Sequence, residues 1–204
     1  MNLKARFITF EGIDGAGKTT QIKAVQETLA GRGIRICMTR EPGGTPLGEK
    51  IRTLLLHEDM FPDTESLLFF ASRIEHVRQV IRPALERGAW VLCDRFTDAT
   101  FAYQVGGKGV PAVKIEELEK WSLGSFAPDL TVLFDLDPVI AAGRLKKARL
   151  ADRFESEDVR FFTRVRDAYL ERAARSPERF LVVDSNRPSE VISKELKEYF
   201  ETWL

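Results

Sequence analysis

A stretch at residues 12–19, Gly-Ile-Asp-Gly-Ala-Gly-Lys-Thr, decides the fold of this chain. It has a glycine, four variable positions, and then glycine, lysine and a hydroxyl residue, which is the pattern of a phosphate-binding loop (P-loop). The glycines let backbone N–H groups approach phosphate oxygens, and the start of the following helix adds a positive dipole end. Lys18 can reach the β- and γ-phosphates, and the Thr19 hydroxyl can ligate Mg²⁺. The loop therefore predicts a site for a nucleoside triphosphate and Mg²⁺.

Short β-rich runs alternate with longer helical patterns along the chain, which predicts a parallel sheet with helices on both faces. The strands are expected at 7–10, 34–39, 90–93, 130–136 and 180–183. The helices are expected at 19–29, 46–56, 65–86, 115–123 and 158–175, with two more opening at 137 and 189. We therefore expect one α/β domain over residues 1–204, with the P-loop kinase fold and five parallel strands.

The bulk composition excludes several classes of protein. The chain has 31 basic and 31 acidic residues, so no general attraction to nucleic acid or to a membrane is expected. The sequence shows neither a charged leader nor a long apolar stretch, so we expect neither a signal peptide nor a membrane span. We expect a cytoplasmic protein. Cys37 and Cys93 lie in strand-like runs, which favours buried thiols over a disulfide. His57 and His76 have no Cys or His partner at metal-ligand spacing, so no zinc site is expected.

A P-loop alone does not separate kinases from GTPases, motors and transport ATPases. The chain has no N-K-x-D or T-K-x-D tetrapeptide, which argues against a GTPase, and it is too short for the extra elements of a motor. The third expected strand ends in Asp94 and Arg95, where strand ends face the ligand crevice of an open α/β sheet. There Asp94 can hold Mg²⁺ or its waters, and Arg95 can bind a second phosphate, although a surface ion pair would give the same dipeptide.

Five segments, in order, resemble those of thymidylate kinases and span nearly the whole chain. They are Phe-Glu-Gly-Ile-Asp-Gly-Ala-Gly-Lys-Thr-Thr at 10–20, Thr-Arg-Glu-Pro-Gly-Gly-Thr at 39–45, Asp-Arg at 94–95, Ala-Tyr-Gln at 102–104 and Asp-Arg-Phe-Glu at 152–155. Several of them, unlike the P-loop, are specific to that family. The resemblance implies transfer of the γ-phosphate of ATP to dTMP, giving dTDP and ADP for dTTP synthesis, with Mg²⁺ as the cofactor.

The resemblance, together with the P-loop, implies a set of residues on the ATP side. The ATP-binding residues would be Gly12, Ile13, Asp14, Gly15, Ala16, Gly17, Lys18, Thr19, Thr20 and Arg144. Magnesium would be held by Thr19 and Asp94. Catalytic roles are implied for Lys18, Arg95, Arg149 and Arg153.

A basic segment resembles the family's lid, at about residues 144–155. Its cationic residues are Arg144, Lys146, Lys147, Arg149 and Arg153. Such a run is more usually a charged helix surface. Some family members carry an arginine inside the P-loop, where this chain has Ala16, and bacterial members without it have basic lid residues instead. The resemblance to that bacterial type implies that Arg144 stacks near adenine while Arg149 and Arg153 close over the transferred phosphoryl group.

The resemblance also implies a dTMP site. Its residues would be Asp14, Arg52, Phe69, Arg73, Arg95, Thr100, Tyr103 and Gln104. Phe69 would stack on thymine and Arg73 would hydrogen-bond its edge; their spacing of four puts both on one helix face. Phe69 could equally be a core residue, since its neighbours are apolar. Thr100 would complete the thymine contacts.

The sugar and phosphate of dTMP are implied to meet the remaining residues. Tyr103 and Gln104 would crowd the sugar and favour deoxyribose. Arg52 and Arg95 would grip the acceptor phosphate, and Asp14 would approach the 3′-hydroxyl.

Two other functions remain open at this point. A deoxynucleoside kinase acting on thymidine needs a carboxylate base at the end of the second strand, where Glu41 lies, although Arg52 and Arg95 favour a charged acceptor. A non-catalytic P-loop regulator would bind nucleotide and signal to a partner, which leaves Phe69 and Arg73 unexplained. The expected partners are ATP and dTMP, without nucleic acid or membrane. The resemblance further implies a homodimer formed through helices that include the long one.

Overall fold

The computed structural model describes residues 4–145 and 158–204. Its strands are β1 (Phe7–Glu11), β2 (Ile36–Arg40), β3 (Trp90–Asp94), β4 (Leu130–Asp135) and β5 (Phe180–Asp184). They form one parallel sheet in the order β2-β3-β1-β4-β5. Because β1 lies at the centre, the loop that follows it opens at the middle of the sheet's carboxyl edge.

Helices connect the strands. They are α1 (Lys18–Gly31), α2 (Pro46–His57), α3 (Pro62–His76), α4 (Arg82–Glu86), α5 (Thr97–Thr100), α6 (Ala112–Leu123), α7 (Pro138–Leu145), α8 (Val159–Arg175) and α9 (Ser189–Glu201). A π-helical turn, Val77–Ile81, joins α3 to α4, so residues 62–86 form one long helical segment. A second π-helical stretch, Phe101–Gly107, extends α5.

Both faces of the sheet are buried. Successive side chains of a strand point to opposite faces, and Phe7 and Ile8 of β1 are both excluded from water. Phe7 belongs to a core cluster with Val77 and Ile81, whereas Ile8 belongs to a larger cluster with residues of α1, α8 and α9. This two-sided burial explains why the strands read as continuous apolar runs in the sequence.

The predicted α/β fold with five parallel strands and helices on both faces is confirmed. Each expected strand is present, with ends shifted by up to two residues, and the expected long helix spans residues 62–86. Cys93 is buried in β3, but Cys37 is only half-buried because β2 is an edge strand, and both thiols are free. Among the described residues, no helix is both long and apolar enough to cross a membrane.

The helical stretch at residues 97–107 was absent from the sequence-based prediction. Its last two residues are glycines, which disfavour helix and hide the pattern. The structure gives them a packing reason. A Cβ at Gly107 would lie 2.5 Å from the Phe161 ring, and one at Gly106 would lie 2.5 Å from the Ala168 Cβ, both on α8. The glycines therefore let this stretch lie directly against α8.

Candidate active site

A cavity of about 590 Å³ lies at the carboxyl edge of the sheet. This volume falls in the usual range for small-molecule sites. Fifteen of the predicted site residues line it: Asp14, Gly15, Gly17, Lys18, Thr19, Thr20, Arg52, Phe69, Arg73, Asp94, Arg95, Thr100, Tyr103, Gln104 and Arg144. The fold thus brings both predicted substrate sites into one cavity, while the role of each residue stays a prediction.

Three predicted residues within the described part of the chain do not line this cavity. Gly12, Ile13 and Ala16 are buried, and the first two support the P-loop through their backbone carbonyls. The predicted lid residues Lys146, Lys147, Arg149 and Arg153 lie outside the described residues.

The P-loop connects β1 to α1, as the sequence predicts. Gly12 has φ 133°, and a Cβ there would lie 2.5 Å from the Phe134 carbonyl oxygen of β4, so only glycine fits. The Lys18 ammonium donates to the carbonyl oxygens of Gly12 at 2.9 Å and Ile13 at 3.1 Å. Burial, and then the nearby Arg95 charge, lower the pKa of Lys18. The lysine is therefore held against its own loop at the cavity wall.

Asp94 and Thr19 offer oxygen atoms suited to Mg²⁺. Asp94 Oδ1 is buried and has no hydrogen-bond partner among the described residues, although Asp94 lines the cavity. Thr19 lies exposed at the same cavity, at the start of α1. The described part of the chain has no cluster of three or more acidic, His or Cys side chains that could hold a metal. Magnesium usually keeps several waters and binds one or two carboxylates plus substrate phosphates, so these two residues fit it.

Arg95 has an unusual backbone and a dense set of partners. Its φ of 70° is the left-handed conformation, which costs a non-glycine residue about 1–2 kcal/mol. Its Nη2 donates to Asp14 Oδ1 at 2.8 Å and to the Tyr103 hydroxyl at 3.1 Å. Strained backbone of this kind persists where the surrounding structure enforces it, commonly at functional sites. Arg95 is therefore held rigidly between the P-loop and the helical stretch at residues 97–107.

Asp14 is ionised inside a loop built for anions. Burial alone would raise its pKa, but the charges of Arg95 and Lys18 outweigh burial and lower the pKa to about 2. Its predicted role at the sugar 3′-hydroxyl stays a prediction. What the structure adds is that Asp14 forms an ion pair with Arg95.

Arg73 is almost completely buried beneath the cavity. Its Nε donates to Glu41 Oε2 at 2.7 Å, and its Nη2 donates to the Phe96 carbonyl at 3.2 Å and the Thr100 hydroxyl at 3.0 Å. Its Nη1 is buried with no partner among the described residues. An unmatched buried donor costs about 1–3 kcal/mol, so a ligand acceptor here would gain that energy. Phe69, one helical turn earlier, lines the same cavity, which suits a planar base with a hydrogen-bonding edge.

Glu41 has a structural role that the sequence alone does not reveal. Its Oε2 accepts from Arg73, and its Oε1 lies 3.0 Å from His76 Nδ1. His76 Nε2 in turn lies 2.6 Å from the Thr39 hydroxyl. The sequence indicated Glu41 only as a candidate base at the end of the second strand, in the alternative thymidine kinase. Glu41 lines the cavity, but each of its carboxylate oxygens is held, one by Arg73 and the other by His76.

The predicted sugar and phosphate residues are also anchored. Arg52 Nη1 on α2 donates to the Pro42 carbonyl at 3.0 Å. Gln104 Nε2 donates to Glu65 Oε1 at 2.8 Å, and the other Glu65 oxygen accepts from Lys108, also at 2.8 Å. Glu65 and Lys108 had no recognisable sequence signal: Glu65 contacts Gln104, Lys108 contacts Glu65, and neither is among the residues that line the cavity.

Arg144, at the end of α7, bridges two loops on the P-loop side. Its Nη1 donates to the Gly15 carbonyl at 3.3 Å, and its Nη2 donates to the Ser185 carbonyl at 3.1 Å. Ser185 directly follows β5, so Arg144 joins the P-loop to the carboxyl end of β5.

Comparisons with known proteins agree with this geometry. A family model described as thymidylate kinase matches residues 10–196. Thymidylate kinase of Paraburkholderia phytofirmans is 57% identical over 199 residues, covering 96% of this chain and 97% of the relative. Thymidylate kinase of Methylobacillus flagellatus is 55% identical over 194 residues, covering 95% and 96%. The crystal structure of thymidylate kinase from Ehrlichia chaffeensis matches with TM-score 0.78 and 34% identity, over 97% of this chain and 98% of that one.

Proposed function

This chain belongs to the thymidylate kinase family, and we propose that it transfers the γ-phosphate of ATP to dTMP, giving dTDP and ADP. It is thus a nucleoside monophosphate kinase. The observation that carries the proposal is that residues of the P-loop line the same cavity as Arg95, Arg73 and Phe69.

The donor half of the proposal assigns ATP to the P-loop. Its backbone N–H groups, Lys18 and the α1 dipole hold the phosphates. Arg144 lies on the adenine side, where it joins the P-loop to the end of β5. Thr19 and Asp94 would hold Mg²⁺, which neutralises charge on the β- and γ-phosphates when bound.

The acceptor half assigns the dTMP phosphate to Arg95 and Arg52. The second pKa of a phosphate monoester is about 6, so at neutral pH it is mostly a dianion and needs no general base. The chain's task is then to align donor and acceptor and to neutralise charge, with direct in-line transfer and no covalent intermediate. Arg95, locked against Asp14 and Tyr103, supplies a rigid cation for this alignment.

Base and sugar recognition follow from the remaining cavity residues. Phe69 stacks on thymine, and the unpartnered Arg73 Nη1 donates to a carbonyl oxygen of the base, with Thr100 beside it. Tyr103 and Gln104 crowd the sugar and favour deoxyribose.

Four further properties complete the proposal. The chain acts as one domain in the cytoplasm. Residues 144–155 form a lid in which Arg149 and Arg153 act on the transferred phosphoryl group. The protein is a homodimer through α2, α3 and α6, of which α3 contacts the other two. Exposed apolar side chains on or next to these helices support the dimer: Leu54, Phe61, Leu67, Val113 and Trp121.

The acceptor specificity distinguishes this proposal from a thymidine kinase. That enzyme needs a free carboxylate base, whereas Glu41 is held by Arg73 and His76. Initial rates with ATP, Mg²⁺ and either dTMP or thymidine test the difference. Turnover of dTMP with thymidine inactive is expected; turnover of thymidine alone would refute the proposal.

A further inference from the structure

Glu11, the last residue of β1, is a fully buried carboxyl group just outside the cavity lining. Its Oε1 accepts from the Phe96 backbone N–H at 2.6 Å, and its Oε2 lies 2.8 Å from the Tyr169 hydroxyl. Both oxygens are therefore committed to groups that flank Arg95. Neither the P-loop pattern nor the ion pairs of the cavity account for this arrangement.

The contacts of Glu11 enclose Arg95 from two sides. The Arg95 N–H donates to the Phe10 carbonyl at 3.0 Å, so two successive N–H groups, of residues 95 and 96, are bound by two successive residues of β1. On the other side, the Tyr169 hydroxyl lies 3.4 Å from Arg95 Nη1. Glu11 thus contacts the peptide that follows Arg95 and the hydroxyl that meets its guanidinium.

The backbone of Phe96 also connects Glu11 and Arg73, another of the arginines predicted to recognise dTMP. Its N–H is held by Glu11, and its carbonyl accepts from Arg73 Nη2 at 3.2 Å. A residue other than glycine rarely adopts positive φ unless its surroundings impose it. With the Glu11 acceptor removed, the Phe96 N–H would be buried and unmatched, and the peptide could rotate to release Arg95 from the left-handed conformation.

We propose that Glu11 is a positioning residue for the dTMP phosphate: it fixes the Arg95–Phe96 peptide, and through Tyr169 the guanidinium, so that Arg95 points at the acceptor. This inference rests on the proposed function, because it takes Arg95 to bind the phosphate of dTMP. Glu11 does not touch the substrate. Loss of the Glu11 contacts should therefore raise the KM for dTMP and leave ATP binding unchanged.

The protonation state of Glu11 suggests a conservative replacement. Burial, and then the negative charge of Asp98, raise the pKa of Glu11 to about 8 in spite of the Arg95 charge. In the structure, Oε1 accepts from the Phe96 N–H and Oε2 accepts from the Tyr169 hydroxyl. A neutral glutamine keeps a strong oxygen acceptor for the Phe96 N–H, whereas methionine fills the space with no donor and only a weak acceptor.

Thr9 provides a matched control on the same strand. It is fully buried, lies two residues before Glu11 on the same face of β1, and forms a buried hydroxyl pair with Thr131 at 2.8 Å. Thr9→Val therefore removes a buried hydrogen bond from β1 without touching Arg95.

Steady-state kinetics of Glu11→Met, Glu11→Gln and Thr9→Val test the proposal. Glu11→Met should raise the KM for dTMP about tenfold with the KM for ATP within about twofold, and Glu11→Gln and Thr9→Val should stay near wild type. Equal changes for both substrates, or an unchanged KM for dTMP in Glu11→Met, would overturn it. So would a Glu11→Gln variant as impaired as Glu11→Met.

Two further measurements keep the test decisive. If Glu11→Met does not fold, Tyr169→Phe should raise the KM for dTMP about threefold with ATP unaffected, and an unchanged KM would overturn the proposal. If the wild-type protein does not turn over dTMP, the proposed function fails on its own. A crystal structure of Glu11→Met then decides the inference: loss of the left-handed φ at Arg95 is expected, and its retention would contradict the positioning role.

Discussion

Arg73 Nε donates to Glu41 Oε2 at 2.7 Å, and both side chains are almost completely removed from water, at 1% and 3% exposure. A buried ion pair fixes the geometry of its members, since separating them would leave an uncompensated charge. It leaves one guanidinium nitrogen, Nη1, to meet a ligand. The pair therefore joins the loop after β2 to the part of α3 that lines the cavity.

Replacement of Arg73 by alanine should destabilise the protein strongly. Removing one member of a buried pair costs about 3–5 kcal/mol, so the free energy of unfolding should fall by that amount in urea denaturation. Arg175→Ala is the matched control, because its partner Glu171 and Arg175 itself are both exposed, and such pairs contribute about 1 kcal/mol or less. Similar losses of unfolding free energy in the two variants would show that the Arg73–Glu41 pair contributes no more to stability than an exposed ion pair.

Replacement of Arg95 by alanine should impair dTMP binding selectively. Hydrogen bonds to charged groups contribute about 1.5–3 kcal/mol, so the KM for dTMP should rise at least about tenfold while the KM for ATP stays near normal. Arg32→Ala, which breaks an exposed pair with Glu201, should change neither constant. Equal damage to both substrates in Arg95→Ala would argue that Arg95 is structural.

The Arg95→Gly variant should be more stable than the Arg95→Ala variant. The φ of 70° strains alanine but not glycine, so Arg95→Gly should exceed Arg95→Ala by about 1 kcal/mol in unfolding free energy. The two variants should have the same KM for dTMP, because both lack the guanidinium. A more stable alanine variant would contradict the left-handed backbone.

Much of the fold could be predicted from sequence, because the strands are buried on both faces and the P-loop needs a strand before it and a helix after it. The helical stretch at residues 97–107 could not be predicted. Gly106 and Gly107 are there because the stretch packs closely against α8, and this contact leaves no pattern in the local sequence. Cavity-lining residues such as Phe69 and Arg73 could be named in advance through the family resemblance. The contacts of Glu11 and Glu41 could not be predicted, because their partners are distant in sequence and meet them only in the folded chain.

The Glu11 carboxyl should make stability fall as pH rises. Its pKa is raised from 4.5 to about 8 in the folded protein, so between these values the unfolded chain releases a proton that the folded protein retains. This group therefore reduces the unfolding free energy by up to about 1.4 kcal/mol per pH unit in that window. Urea denaturation at pH 5.5 and 7.5 should show Glu11→Gln gaining stability relative to wild type at the higher pH. The same difference in unfolding free energy between Glu11→Gln and wild type at both pH values would contradict the raised pKa.

The Thr45 side chain should contribute to the stability of α2, the helix that carries Arg52. Its hydroxyl accepts from the Gly48 N–H at 2.9 Å at the start of the helix. Thr45→Ala should lower the unfolding free energy by about 1 kcal/mol, whereas Thr45→Ser should retain most of it. Equal stability of the alanine variant and the wild type would show that the cap is dispensable.

The central claim is that a phosphorylated nucleoside accepts the γ-phosphate of ATP in this cavity. The most direct measurement follows the label from γ-³²P-ATP with Mg²⁺ and dTMP, and in a parallel reaction with thymidine in place of dTMP, and identifies the labelled product. Labelled dTDP is predicted, formed in equal amounts with ADP, with no label transferred to thymidine. Labelled inorganic phosphate without dTDP, or labelled dTMP formed from thymidine, would contradict the account.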